Sequence, residues 1–278
     1  MQNKDEDKEL RKLQKLFLSG SCWQRLGTLL VIAVALFAVV APMIWPDYAG
    51  QDLSRFLESP SIAEPLGRDQ LGRSVIARLA RASRISLGLS LCCVLTAALL
   101  GGVLGVVSSW RGGWIDTLLR SFSDAMLALP GLLVVLIFSA MTLGGFWTLY
   151  TGLAMAQWVE YYRLVRARSR LILSSPHVEA ARLLGFGPLY IVRCHLWPEL
   201  RPLLLTLMAF GLATAVLALS TLGYIGVGLQ PPTPELGLMM TEAFPHYHEA
   251  PRLAVAPVAL LALTLSGLIL MQGKGVAR

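Results

Sequence analysis

EAARLLGFGPLYIVRCHLWP, residues 179–198, is the stretch on which the reading of this chain turns. It is amphipathic, carries charge of both signs, and interrupts a sequence that is otherwise hydrocarbon-like. The chain has 278 residues, 55% hydrophobic and 15% charged, whereas a soluble domain of this size usually carries about 25% charge. The shortfall lies in long uncharged runs, each near the roughly 20 residues with which a helix crosses a bilayer. The expected fold class is therefore all-α, a polytopic membrane protein, with residues 179–198 kept outside the bilayer. The formal net charge of +7 does not point to nucleic acid, because the basic residues flank apolar spans, where they set topology. Cys22, Cys92, Cys93 and Cys194 show neither disulfide nor zinc spacing, so they read as packing residues, and no cofactor is expected.

Working outward, residues 1–25 form a charged tail of mixed sign. The first apolar run, 26–46, has the length of a full span, longer than the apolar part of a removable signal peptide. Residues 47–84 are polar, with turn signals at Ser59-Pro60 and Glu64-Pro65-Leu66-Gly67. Leu71, Val75, Leu79 and Ala82 then recur at helical intervals, which predicts a surface helix over 71–84 leading into the membrane. The core is 85–272. Its first span, 85–110, contains Gly101-Gly102-Val103-Leu104-Gly105, small residues that allow close helix contact. Residues 125–159 carry no charge, too long for one span. Gly144-Gly145 divides this region into a third span, 118–143, and a fourth, 146–165. The fifth is 203–229 and the sixth 253–271, with a charged loop at 174–201 and a short tail at 273–278.

Six spans place both termini on one side. That side collects 17 of the Lys and Arg residues and the other side 7, so the termini and residues 174–201 are expected in the cytoplasm. Within the loop, Ser174 or Ser175 can cap a helix, and Glu179 lies in a first turn, where an anion suits the helix dipole. Gly185 to Pro188 breaks that helix, and a second short one, 189–196, is expected to end before Pro198. Two short helices at an elbow make either a docking knob for another protein or an ordinary interfacial loop.

Glu179-Ala180-Ala181, then Gly185, then Pro198 resembles the EAA loop of ABC importer permeases. Arg193-Cys194-His195-Leu196-Trp197-Pro198 resembles the R-H-I-L-P ending of the dipeptide/oligopeptide/nickel branch, with Trp197 where Leu is usual. Leu66-Gly67-Arg68-Asp69-Gln70-Leu71-Gly72-Arg73, followed by Arg84-Ile85-Ser86-Leu87, is similar to the branch signature L-G-T-D-x-L-G-R-D…R-x-S-L; Arg68 and Ser74 depart from it. Gly226-Val227-Gly228-Leu229-Gln230-Pro231-Pro232-Thr233-Pro234 is similar to G-L-G-V-Q-P-P-T-P. The branch commonly ends in G-D-x-L-R-D-x-L-D-P, where this chain has Gly273-Lys274-Gly275-Val276-Ala277-Arg278, so any contact of that tail is expected to be missing. The resemblance implies a type I ABC importer permease fold in the bacterial cytoplasmic (inner) membrane. It also implies a second homologous permease subunit as heterodimer partner, two ATP-binding subunits and an extracytoplasmic substrate-binding protein. The cargo is a peptide or nickel/metal-chelate, and Glu179, Ala180, Ala181, Gly185 and Pro198 couple to the ATPase.

The chain has no G-x-x-x-x-G-K-S/T phosphate loop, so ATP hydrolysis belongs to other subunits. An intramembrane enzyme would use polar groups within the spans, and Asp124 and Glu160 are the candidates, but no His accompanies them. A stand-alone secondary transporter is disfavoured by the lack of an internal repeat and of a mid-membrane charge. Glu242, His246, His248 and Glu249, with Met239 and Met240 nearby, are the residues that would suit a transition metal, or else form a solvated exit loop.

Overall fold

The computed structural model describes residues 22–141 and 145–272. The expectations for residues 1–21, for the turn at Gly144 and for the tail 273–278 lie outside them. The described chain is almost entirely helical. The helices are α1 (Cys22–Ile44), α2 (Val75–Arg111), α3 (Gly113–Leu127), α4 (Gly131–Met141) and α5 (Phe146–Leu173). After them come α6 (Pro176–Leu183), α7 (Pro188–Ile191), a π-helical turn over Val192–Leu196, α8 (Trp197–Tyr224), α9 (Leu236–Ala243) and α10 (Arg252–Gln272). Helices α1, α2 and α10 and the unbroken run Pro188–Tyr224 are long and apolar enough to cross a membrane, and α3 with the start of α4 adds a bent fifth candidate. Helix α5 has 28 residues, but its second half carries Glu160, Arg163, Arg166, Arg168 and Arg170. These elements are compatible with the six expected spans.

Three expectations are corrected. The third span, 118–143, is not one helix, because α3 and α4 meet at 83°. Pro130 lies at the break, where its ring forbids the helical hydrogen bond and pushes Leu129 out of the helical region. The surface helix over 71–84 is instead the start of α2, which runs on without interruption for 37 residues. Ser74 is its N-cap, accepting from the N–H of Ala77. Val75, Leu79 and Ala82 are buried in an outer core with Leu236, Met239 and Leu253. Finally, the second loop helix does not end before Pro198. The widened turn of Val192–Leu196, with the Trp197 N–H bonded to the Val192 carbonyl, lets a residue without an N–H enter the first turn of α8.

Helices α2 and α5 form the closest pair. A Cβ on Gly101 would overlap the Trp158 carbonyl and come within 2.8 Å of the Tyr162 nitrogen; one on Gly105 would come within 2.9 Å of the Tyr162 carbonyl. The small-residue run expected to allow close contact therefore lies at the α2–α5 contact.

At the end of the bundle away from the 174–201 loop, the L-G-R-D-Q-L-G-R segment builds a buried ionic layer. Asp69 Oδ2 accepts from Arg73 Nε at 2.7 Å and Arg78 Nη1 at 2.6 Å. Both guanidiniums also reach Glu242 Oε2, at 3.1 and 2.6 Å. Arg73 and Arg78 have side chains only 4% and 3% exposed. Arg252, at the start of α10, donates to the carbonyls of Leu57, Glu58 and Leu66, which holds the segment between α1 and α2 against α10.

Glu235 caps α9 beneath this layer. It is fully buried, and its Oε2 accepts from the N–H groups of Gly237 at 2.8 Å and Leu238 at 3.1 Å. Burial pushes its carboxyl from the ordinary 4.5 up to about 7, against the pull of those N–H groups and of the Ser220 and Ser86 hydroxyls. A raised folded-state value means that the folded protein favours the protonated acid. The stability this confers is fully present below 4.5 and is lost as pH rises through about 7. Glu235→Gln, which keeps the cap acceptor, should therefore match the wild type near pH 4.5. It should exceed it above pH 7 by on the order of 3 kcal/mol. Thermal unfolding in detergent across this range checks it; a variant parallel to the wild type at every pH would refute the assignment.

Candidate functional site

The 174–201 loop folds as a rooted knob. Pro176 opens α6 at its first position, where a missing N–H costs nothing. Gly185 ends it at φ +81°. The Phe186 N–H bonds to the Ala181 carbonyl and the Gly185 N–H to that of Arg182, the paired bonds of a Schellman motif that favours glycine at this position. Gly187 and Pro188 then start α7. The base of the knob is apolar and closed: Val178, Ile191 and Leu196 are at most 1% exposed and pack on Val165 and Ile172 of α5 and Leu200 of α8. Arg182 lies over the Trp110 ring at the end of α2, 5.5 Å from its centroid, and Arg168 pairs with Glu199 across α5 and α8.

The tip has the opposite character. Leu183, Leu184 and Leu189 are 84%, 76% and 81% exposed, and Phe186 stacks on Tyr190 with centroids 4.2 Å apart. Of the five residues singled out from the sequence, Glu179, Ala180, Gly185 and Pro198 are exposed, while Ala181 is buried at the root. Glu179, Ala180 and Gly185 are thus exposed on the knob, and Pro198 is exposed on the first turn of α8. Ser175 is the N-cap residue of α6, but its hydroxyl turns back to the Ile172 carbonyl instead of capping. Trp197 lines an apolar groove of about 420 Å³ between α2 and α8 with Leu99, Val103, Leu200 and Met208.

Above the knob, a cluster missed in the sequence ties three helices together. Asp116, in the first turn of α3, accepts from the Ser108 hydroxyl of α2 and from Arg166 and Arg170 of α5. The Tyr162 hydroxyl lies 3.1 Å from that of Ser108. The available signal was a lone acid just after the Arg111-Gly112-Gly113 turn facing the basic run 163–170. This cluster links the end of α2, the start of α3 and the second half of α5.

The outer-loop groups do not converge on a metal. Glu242 is occupied by Arg73 and Arg78, and His246 is 3.9 Å from Glu249 and edge-on to Phe56. His248 packs edge-on to Tyr247. Among the described residues no group of three or more His, Cys, Asp or Glu side chains could hold an ion. Asp124, one of the two acids an intramembrane enzyme would use, sits 3.8 Å from Arg120 in an exposed pair.

The described residues thus form a bundle of long apolar helices with a rooted, apolar-tipped knob at one end. Residues 97–272 match the family model described as the inner membrane component of binding-protein-dependent transport systems, and the chain belongs to that family. It is 31% identical over 249 residues to the dipeptide transport system permease protein DppC of Haemophilus influenzae, covering 87% of this chain and 84% of that protein. It is 30% identical over 241 residues to the glutathione transport system permease protein GsiD of Pectobacterium atrosepticum, covering 86% and 79%. A chain of the MetNI methionine ABC transporter, in inward-facing conformations, superposes with a TM-score of 0.55 at 21% identity, covering 69% of this chain and 91% of that one, which shows the shared fold. The protein is thus a non-catalytic, multi-pass inner-membrane permease subunit of an ABC importer with the type I fold, and this function implies an ATPase and a substrate-binding protein as partners.

Proposed function

We propose that the chain imports peptides, pairs with a second homologous permease to enclose the route, and docks two ATP-binding subunits through their coupling loops, of which its own is 174–201. The observation that carries the docking is the contrast within the knob: a sealed root on α5 and α8 and three leucines bared at the tip. An exposed apolar patch rimmed by polar residues is the usual mark of a protein interface. Glu179, Ala180, Ala181, Gly185 and Pro198 shape this contact. The loop and both termini face the cytoplasm, supported by the bias of basic residues. A rigid knob held by the Val178–Ile191–Leu196 root and the Asp116 cluster acts as a lever: closure of the ATPase pair pushes on it, and the bundle exchanges one packing for another. The peptide cargo is supported by the dipeptide and glutathione permeases among the relatives. It is supported too by Glu242, whose ion pairs withdraw it from any metal set around His246 and His248.

Copurification tests the docking. Tagged wild-type chain, extracted in mild detergent, should bring down the ATP-binding subunits, and Leu183→Glu with Leu189→Glu should lose them while the permease itself remains in the membrane fraction. Undiminished copurification by the double variant would refute the knob as the docking surface.

A further inference from the structure

Between α3 and α5, on the loop-bearing half of the bundle, lies a cavity of about 500 Å³ lined by Arg120, Ser123, Asp124, Tyr162, Arg163 and Arg166. Three guanidiniums face one carboxylate there. Arg166 is taken by Asp116. Arg120 is held only at 3.8 Å by Asp124, with both side chains more than half exposed. Arg163 is exposed, and among the described residues no carboxylate forms an ion pair with it. Ser123 is 1% exposed, and its hydroxyl has no hydrogen-bond partner; a buried hydroxyl left so costs about 1–3 kcal/mol. The cavity therefore offers two exposed guanidiniums, Arg163 with no ion pair among the described residues and Arg120 with Asp124 alone at 3.8 Å.

Its depth adds a second argument. Arg163 stands ten residues before Leu173, the last residue of α5, about 15 Å along the axis at 1.5 Å per residue. The uncharged part of α5 before Glu160 is shorter than the roughly 20 residues that cross a bilayer, and the span expected from the sequence, 146–165, ends just past Arg163. Near the end of a span a guanidinium reaches the interface or a water-filled cavity, and ionisable groups of this kind mark substrate pathways. We infer that this cavity is an anion subsite on the translocation route, in which Arg120 and Arg163 receive a carboxylate of the passing substrate. Guanidinium and carboxylate make charge-assisted hydrogen bonds, and the exposure of both arginines keeps the hold weak enough for release. The inference rests on the importer reading above and names the chemical group of the cargo that the permease itself contacts.

The test uses the complete transporter, with partner permease, ATP-binding subunits and binding protein, in phosphatidylcholine vesicles, with radiolabelled dialanine as probe. Arg120→Gln with Arg163→Gln should lower ATP-driven dialanine uptake at least about tenfold, the scale of one lost charge-assisted hydrogen bond. The double variant should assemble into the complex at the wild-type level, and Arg120→Lys with Arg163→Lys should retain most of the uptake. Unchanged uptake by the glutamine variant overturns the subsite while leaving the importer reading intact. A wild type that takes up no dialanine overturns the peptide reading and the subsite with it. Failure of the glutamine variant to assemble, or equal loss in the lysine variant, assigns the arginines to structure and overturns the subsite. A loss confined to vesicles containing phosphatidylglycerol assigns the cavity to a lipid phosphate and overturns it as well.

Discussion

Asp69→Ala is expected to destabilise the protein by about 3–5 kcal/mol, the usual cost of breaking a buried ion pair from one side. One carboxylate serves four donors: the N–H groups of Leu71 and Arg73 on Oδ1 and the guanidiniums of Arg73 and Arg78 on Oδ2. Without it, two arginines that are almost wholly buried share Glu242 alone. The loss should appear as a lower unfolding temperature in detergent and a smaller yield of inserted protein. Asp69→Asn keeps the turn acceptor but removes the charge, and should fall between. Burial opposes ionisation of Asp69, but the Arg73 N–H and the guanidiniums of Arg78 and Arg73 outweigh it and hold the carboxyl below its ordinary 3.8. With a depressed folded-state value, this contribution is present above 3.8 and lost as pH falls through the folded value. Its sign is opposite to that of Glu235, so acid weakens one outer-layer carboxylate while alkali weakens the other. A variant as stable as the wild type would show that the layer is not a stabilising unit.

Gly185→Arg is expected to reduce ATP-driven uptake to background in reconstituted vesicles while the protein still inserts and folds. No atom lies within 4 Å of a Cβ built on Gly185, so the chain's own packing does not resist the side chain. The backbone does, since φ +81° costs a residue with a Cβ about 1–2 kcal/mol. The guanidinium then projects beside Leu184 and Phe186, into the space that a docked partner fills. Loss of a central contact of this kind weakens an interface by about 2 kcal/mol or more, on the order of 30-fold. Gly185→Ala separates the two effects, because it strains the elbow without adding bulk and should retain most of the uptake. Normal transport by the arginine variant would remove the coupling assignment.

Much of this was legible in the chain. Long uncharged runs implied spans because a bilayer offers no partner for a charge, and the Glu179–Gly185–Pro198 spacing implied an elbow because Gly alone takes positive φ cheaply. The break at Pro130 was legible in principle but was overridden by the uncharged run around it. The role of Arg78 was not: at helical spacing it looks like the polar side of a surface helix, and its burial depends on Asp69 together with Glu242, 164 residues away.

By itself the sequence determined the membrane class, the helical content and the position of the knob, since these follow from local hydropathy and from residues that constrain their own backbone. The tertiary structure alone decided which charges meet. Asp69 with Arg73, Arg78 and Glu242, Asp116 with Arg166 and Arg170, and Arg163 beside Ser123 are set by how α2, α3, α5 and the connecting loops pack. Electrostatic energy depends on distance in space and on the local dielectric, and neither can be read from separation along the chain.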